Sequence, residues 1–278
     1  MKTLMLACCD LGLQKNGTRR GPKAIAEYFK AYQSRTLQQN DIRKSLAKDD
    51  KRKNLKELVS YSHELYDLFN QEYEKGNEPF LIGGDHSLAI PSILSSSNYH
   101  DDLGLIWIDA HTDYHTLATT ITGNLHGCPC ACVDGYCNEE LRSYHKGKTI
   151  DPKKTVIFGA RSIDMPEYAN IKEAGVKVIT SEDIFNKGID CCFKEALAVL
   201  GPKFHVSFDL DFLDPECAPG VSVPECHGPK DKELESLLKL LKENRESISS
   251  LDLVEYNPDL DIDNRTLAIA IRILEDLL

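Results

Sequence analysis

Apolar positions along the chain gather in short continuous runs: Thr3 to Cys9, Pro79 to Ile82, Leu103 to Ile108, Thr155 to Phe158, Val176 to Ile179, Phe204 to Phe208 and Ser250 to Val254. Each is bounded by turn or helix signals. Runs this short that do not alternate with polar residues predict strands whose two faces are both covered. Between them the spacing changes to that of a helix. Asn54 to Tyr73 places Leu55, Leu58, Val59, Ser62, Leu65, Tyr66 and Phe69 on one face, and Phe193 to Leu200 and Lys232 to Glu243 are read the same way. Gly21-Pro22 ahead of Lys23 to Tyr32 predicts a helix entered at proline, where the missing N–H costs nothing. Asn264 to Leu278 predicts a last helix with Leu267, Ile271 and Leu274 inward. Strand alternating with helix predicts an α/β fold on a parallel sheet. No fixed-period repeat and no Pro/Ser-rich linker divides the chain, so a single domain over 1–278 is expected, with charge-rich Arg43 to Lys53 as a flexible surface loop.

Composition adds exclusions. With 41% hydrophobic and 28% charged residues the chain is neither disordered nor collagen-like. Its 33 Lys+Arg against 44 Asp+Glu leave a net charge of −11, which offers no overall footprint for nucleic acid. No apolar run reaches the roughly 18 residues of a membrane span, and the run after Met1 is too short for a signal-peptide core. A soluble cytoplasmic protein is expected. The 10 cysteines include adjacent pairs (Cys8-Cys9, Cys191-Cys192) and a cluster at Cys128, Cys130, Cys132 and Cys137. Most are read as reduced thiols, and the cluster, lacking paired C-x-x-C spacing, as small semi-buried residues on a helix.

Candidate chemistry lies just beyond the strands. Gly83-Gly84-Asp85-His86-Ser87, Asp109-Ala110-His111-Thr112-Asp113 and Asp209-Leu210-Asp211 each follow an apolar run, at the strand ends where open α/β sheets bind ligands. Alternate residues of an extended segment share a side, so Asp109, His111 and Asp113 can converge, as can Asp209 and Asp211. With His86 this makes two imidazoles and four carboxylates. Four carboxylates packed together repel unless a cation neutralises them, and six ligands exceed the needs of one tetrahedral zinc but suit two hard divalent ions with bridging carboxylates. A binuclear metal site is expected.

These blocks, with Gly123-Asn124-Leu125-His126-Gly127 and Ser207-Phe208-Asp209-Leu210-Asp211-Phe212-Leu213-Asp214-Pro215, resemble the signatures of the arginase, agmatinase and formimidoylglutamase family, the ureohydrolases. The resemblance runs from Gly17 to the last helix. It implies a three-layer α/β/α fold holding two Mn(II) ions, one on His86, Asp109, Asp113 and Asp209, the other on Asp109, His111, Asp209 and Asp211. It also implies Glu255 as the guanidinium-binding carboxylate, His126 as a proton shuttle, Asp113 as a hydrogen-bond acceptor for the nucleophile, and a trimeric or hexameric homo-oligomer.

The loop Thr119 to Gly127 resembles the arginase version, in which Thr120, Thr122 and Asn124 would hold the substrate's α-carboxylate and Asp164 would face its α-ammonium. L-arginine, cleaved to L-ornithine and urea, is therefore the expected substrate. Two departures stand out. His115 occupies the place of an asparagine that contacts the α-carboxylate, and Gly220-Val221-Ser222-Val223-Pro224-Glu225 replaces a Gly-Thr turn in a manner resembling formimidoylglutamases. The alternatives are another ureohydrolase (agmatinase, guanidinobutyrase or formimidoylglutamase), or a catalytically silent regulatory relative.

Overall fold

The computed structural model describes residues 1–40, 54–136 and 139–278. The loop expected at Arg43 to Lys53 and the cluster residue Cys137 lie outside the described residues. Eight strands, β1 (Lys2–Cys8), β2 (Gln33–Gln38), β3 (Glu78–Gly83), β4 (Gly104–Ile108), β5 (Thr155–Ala160), β6 (Lys177–Thr180), β7 (Phe204–Asp209) and β8 (Ile248–Val254), form one sheet in the order β2-β1-β3-β8-β7-β4-β5-β6. Every neighbouring pair is parallel. The α-helices among the described residues are α1 (Gly21–Ala26), α2 (Leu55–Glu74), α3 (Ala89–Tyr99), α4 (Pro129–Val133), α5 (Met165–Ala174), α6 (Ser181–Lys187), α7 (Ile189–Leu200), α8 (Asp231–Glu243) and α9 (Arg265–Leu277).

Continuous apolar strands are explained by two cores. Along β1, Leu4 and Leu6 enter one cluster and Met5 and Ala7 the other; along β4, Ile106 and Ile108 enter the first and Leu105 and Trp107 the second. The first cluster packs against α1 and α6 to α9, the second against α2 to α5, giving the three-layer α/β/α arrangement. Each fully buried Leu, Ile or Phe contributes roughly 1.5–3 kcal/mol by leaving water, so both faces bind their helices strongly.

Three details depart from the sequence reading. Strand β2, whose mostly polar residues are exposed or only half-buried, carries no apolar run and lies at the sheet edge. Helix α1 ends at Ala26 instead of reaching Tyr32, because the chain must turn back to enter β2 at Gln33. On α9, Leu267 and Leu274 point inward as expected, but Ala270, Ile273 and Leu277 share that buried face and Ile271 is only partly covered. Cys130 and Cys132 are buried on α4, with Cys128 buried just before it, and among the described residues no cysteine joins a group able to hold a metal. No described helix is long and apolar enough to cross a membrane.

Just after α4, the buried Asp134 accepts hydrogen bonds from Tyr114 Oη (2.9 Å) and Thr155 Oγ1 (2.7 Å). Burial pushes its carboxyl up to about 7, against the pull of those hydroxyls. Since the unfolded value is near 4, this group's contribution to stability is complete below about pH 4 and is lost as pH rises through about 7. Asp134→Asn, which stays neutral, should therefore gain stability over the parent by a few kcal/mol between pH 5 and 8.5. Thermal unfolding of both proteins at each pH checks this; a difference independent of pH would refute it.

Candidate metal centre

The sheet brings the chemistry together through register. Ile108 pairs with Phe208, Asp209 with Val254 and Ile82 with Leu253, so Asp109, Asp209, Glu255 and the loop after β3 emerge side by side at one edge. Gly84 lets that loop run against the end of β1, since a Cβ there would collide with the carbonyl of Cys9. His86 then lies fully buried beneath Trp107, whose ring stacks on the imidazole at 3.9 Å between centroids.

His86 Nε2 lies 2.9 Å from Ser207 Oγ, and Ser207 in turn donates to Asp252. With the proton on Nε2, the Nδ1 lone pair faces Asp109 Oδ2 at 2.9 Å, Asp209 Oδ2 at 3.2 Å and Asp113 Oδ2 at 3.3 Å. Nδ1 is buried yet makes no properly directed hydrogen bond. Three carboxylates gathered on one buried ring nitrogen require positive charge among them, either a proton on Nδ1 or a cation in its place. On the other side of Asp109, His111 Nδ1 lies 2.9 Å from Asp211 Oδ2 and 3.5 Å from Asp109 Oδ1. Two ligand groups, His86–Asp109–Asp209 and Asp109–His111–Asp211, thus share Asp109 and form a binuclear metal site. The hard carboxylates with two imidazoles fit octahedral divalent ions.

Electrostatics carries the same message. Burial, then the charge of Asp109, pushes Asp113 up to about 7 and Asp211 up to about 6, and burial with Asp211 and Asp109 raises Asp209 well above the carboxylate range. Burial raises Asp109 too, but His111 and His86 more than offset it and hold the carboxylate ionised. Burial lowers His86 and His111, and the carboxylates around them reverse the sign and raise both. Trp107 Nε1 donates to Asp109 Oδ2 at 3.0 Å and fixes its orientation.

Beside the ligands is a cavity of about 140 Å³ lined by residues that include His115, Thr122, His126, Asp164, Val223 and Glu255. Asp113 and Glu255 both have left-handed backbones, at φ 48° and 67°. For non-glycine residues this costs on the order of 1–3 kcal/mol each, and such strain concentrates at functional sites. Glu255 Oε1 accepts from the His86 backbone N–H at 3.0 Å and lies 3.1 Å from His126 Nδ1, while Oε2 is buried with no partner. Burial lowers His126, and Glu255 more than compensates, so the imidazole is shifted upward overall.

Of the residues expected to read the far end of a substrate, His115 and Asp164 meet each other, Nε2 to Oδ2 at 3.0 Å. Thr122 is exposed at the cavity wall. Thr120 is buried, its hydroxyl accepting from the Gly123 N–H, and Asn124 has a buried, unpartnered Oδ1. Sequence reasoning passed over Trp107 and Ser207, which brace Asp109 and His86, and Asp85, which caps the turn that carries His86. Asp85 is buried, accepts from the Gly12 N–H at 2.8 Å, and is pushed up to about 6 by burial and by Glu255. Its place in the Gly83 to Ser87 block was the one available signal.

Comparison with known proteins connects this geometry to a family. The Arginase family profile matches residues 3–278. The arginase of Bacillus subtilis (strain 168) is 35% identical over 280 residues, covering 97% of this chain and 94% of its own. Among solved structures, the arginase of Bacillus caldovelox is 30% identical with a TM-score of 0.90, covering 99% of this chain and 97% of that one. The Entamoeba histolytica arginase in complex with L-ornithine is 27% identical with a TM-score of 0.89 over the same shares. With sequence, fold and a shared-carboxylate metal site in agreement from the first strand to the last helix, this chain belongs to the arginase family.

Proposed function

We propose that the chain is an arginase, a metal-dependent hydrolase acting as one catalytic domain over residues 1–278 and cleaving L-arginine to L-ornithine and urea. The observation that carries this is Glu255, a buried carboxylate beside the metal ligands with one oxygen anchored and the other unpartnered and available to a guanidinium. Two Mn(II) ions would be held by His86, Asp109, His111, Asp113, Asp209 and Asp211. When bound, the pair supplies hydroxide at neutral pH, which a resonance-stabilised guanidinium carbon requires. Asp113 would accept a hydrogen bond from that nucleophile and orient it. His126, lining the cavity, delivers a proton to the leaving amine, a role suited to an imidazole near pH 7.

An α-amino acid presents a carboxylate beside an ammonium. His115 beside Asp164 offers an imidazole donor next to a carboxylate, the complementary order, and Thr122 and Asn124 add polar contacts nearby; Thr120 supports their loop. Agmatine lacks the carboxylate and forfeits these contacts, each worth roughly 1.5–3 kcal/mol when made to a charged group. With Mn(II) loaded, kcat/KM for arginine should exceed that for agmatine by on the order of 10²-fold or more. A panel of arginine, agmatine, guanidinobutyrate and formimidoylglutamate measures this. Preference for any of the last three would overturn the substrate assignment and make Val223 and His115 the better guides.

A further inference from the structure

The two metal-ligating imidazoles are supported differently. His86 is buried, and its Nε2 contacts Ser207, which leads to Asp252. His111 is partly exposed, and its Nε2 faces Glu225 Oε1 at 3.6 Å. Glu225 belongs to the turn whose sequence departs from the arginase pattern, and its position is closely fixed. Ser162 Oγ donates to the same Oε1 at 3.1 Å, and residues 111 and 162 are joined by a β-bridge.

The backbone beneath Glu225 is also fixed. The Arg161 guanidinium donates to the carbonyls of Asp211 (2.8 Å), Phe212 (3.0 Å), Glu225 (2.9 Å) and Cys226 (3.0 Å), fastening this turn to the loop that carries Asp211. Asp214 Oδ2 accepts from the Gly228 N–H at 3.1 Å, and a Cβ on Gly228 would press on both Arg161 and the Asp214 backbone. A half-exposed glutamate whose backbone is held this firmly beside a ligand imidazole is not an ordinary surface charge.

We propose that Glu225 is a positioning residue for the metal ion held by His111: its carboxylate, 3.6 Å from Nε2 and so just outside hydrogen-bond range in this structure, closes on the Nε2–H when Nδ1 is turned to the ion. The inference rests on the binuclear reading above. Groups that orient a ligating histidine typically account for about 10- to 100-fold in metal affinity. Because, among the described residues, His111 is the ligating imidazole that Glu225 faces, the effect falls on one of the two ions.

The test is calorimetric titration of metal-free protein with Mn(II), with thermal unfolding of each metal-free variant. In Glu225→Ala the dissociation constant of one ion should rise about 10- to 100-fold while the other stays within twofold. Glu225→Gln keeps an acceptor oxygen but no charge, and should recover most of the loss. Unchanged affinities, equal weakening of both ions, or a Gln variant as weak as Ala would overturn the proposal, the last two by showing a general field effect. If Glu225→Ala unfolds without metal, the comparison of Glu225→Gln with the parent decides, since a loss above about tenfold in that variant contradicts orientation by hydrogen bonding. A parent protein that binds fewer than two ions would instead refute the binuclear reading.

Discussion

Asp109→Ala should lose both metal ions and, with them, hydrolysis by on the order of 10³-fold or more, because no neutral-pH hydroxide is then available. Asp109 is the one residue common to both ligand groups, and it is fully buried, so no neighbouring side chain can replace it from solvent. The same substitution should not destabilise the metal-free fold in the usual way. Without a cation Asp109 repels Asp113, Asp209 and Asp211, and each of these is raised partly by its charge. Removing it relieves that repulsion, although the Trp107 N–H and the imidazoles lose a partner. Metal analysis, a urea-release assay and unfolding of the metal-free protein measure the three consequences. Two ions retained per chain would refute the ligand assignment, and an unfolded variant would show that the carboxylate is structural.

Glu255→Gln should lower kcat/KM for arginine by on the order of 10²- to 10⁴-fold, about 3–5 kcal/mol, with metal content unchanged. The reason is geometric as well as electrostatic. Glu255 accepts from the His86 N–H on one oxygen and is open on the other. An amide must turn its NH₂ toward one of these places, so a donor meets either the His86 backbone donor or the guanidinium donors of the substrate. A fall of less than tenfold with full metal content would remove Glu255 from the guanidinium site. Loss of metal would show instead that its hold on the His86 backbone is what matters.

Much of this site is legible in the chain because its spacing is local. Asp109-Ala110-His111-Thr112-Asp113 and Asp209-Leu210-Asp211 place ligands at alternate positions directly after apolar strands, and strand geometry brings such positions to one side. The parallel sheet is legible for a similar reason, since runs such as Leu105 to Ile108 feed both cores. Elements without that signature escape notice. Strand β2 has polar residues because an edge strand covers little, and α1 ends early because the return to β2 requires a turn that its own residues do not announce. The contacts between distant segments were decided by tertiary structure alone. Glu255 meets His126 across 129 residues, Asp164 meets His115 rather than standing free, Ser207 holds His86, and Glu225 faces His111. Local sequence sets which side chains leave a strand end together. Which partners they meet depends on strand order and on loops pinned by groups such as Arg161, and those are properties of the packed sheet.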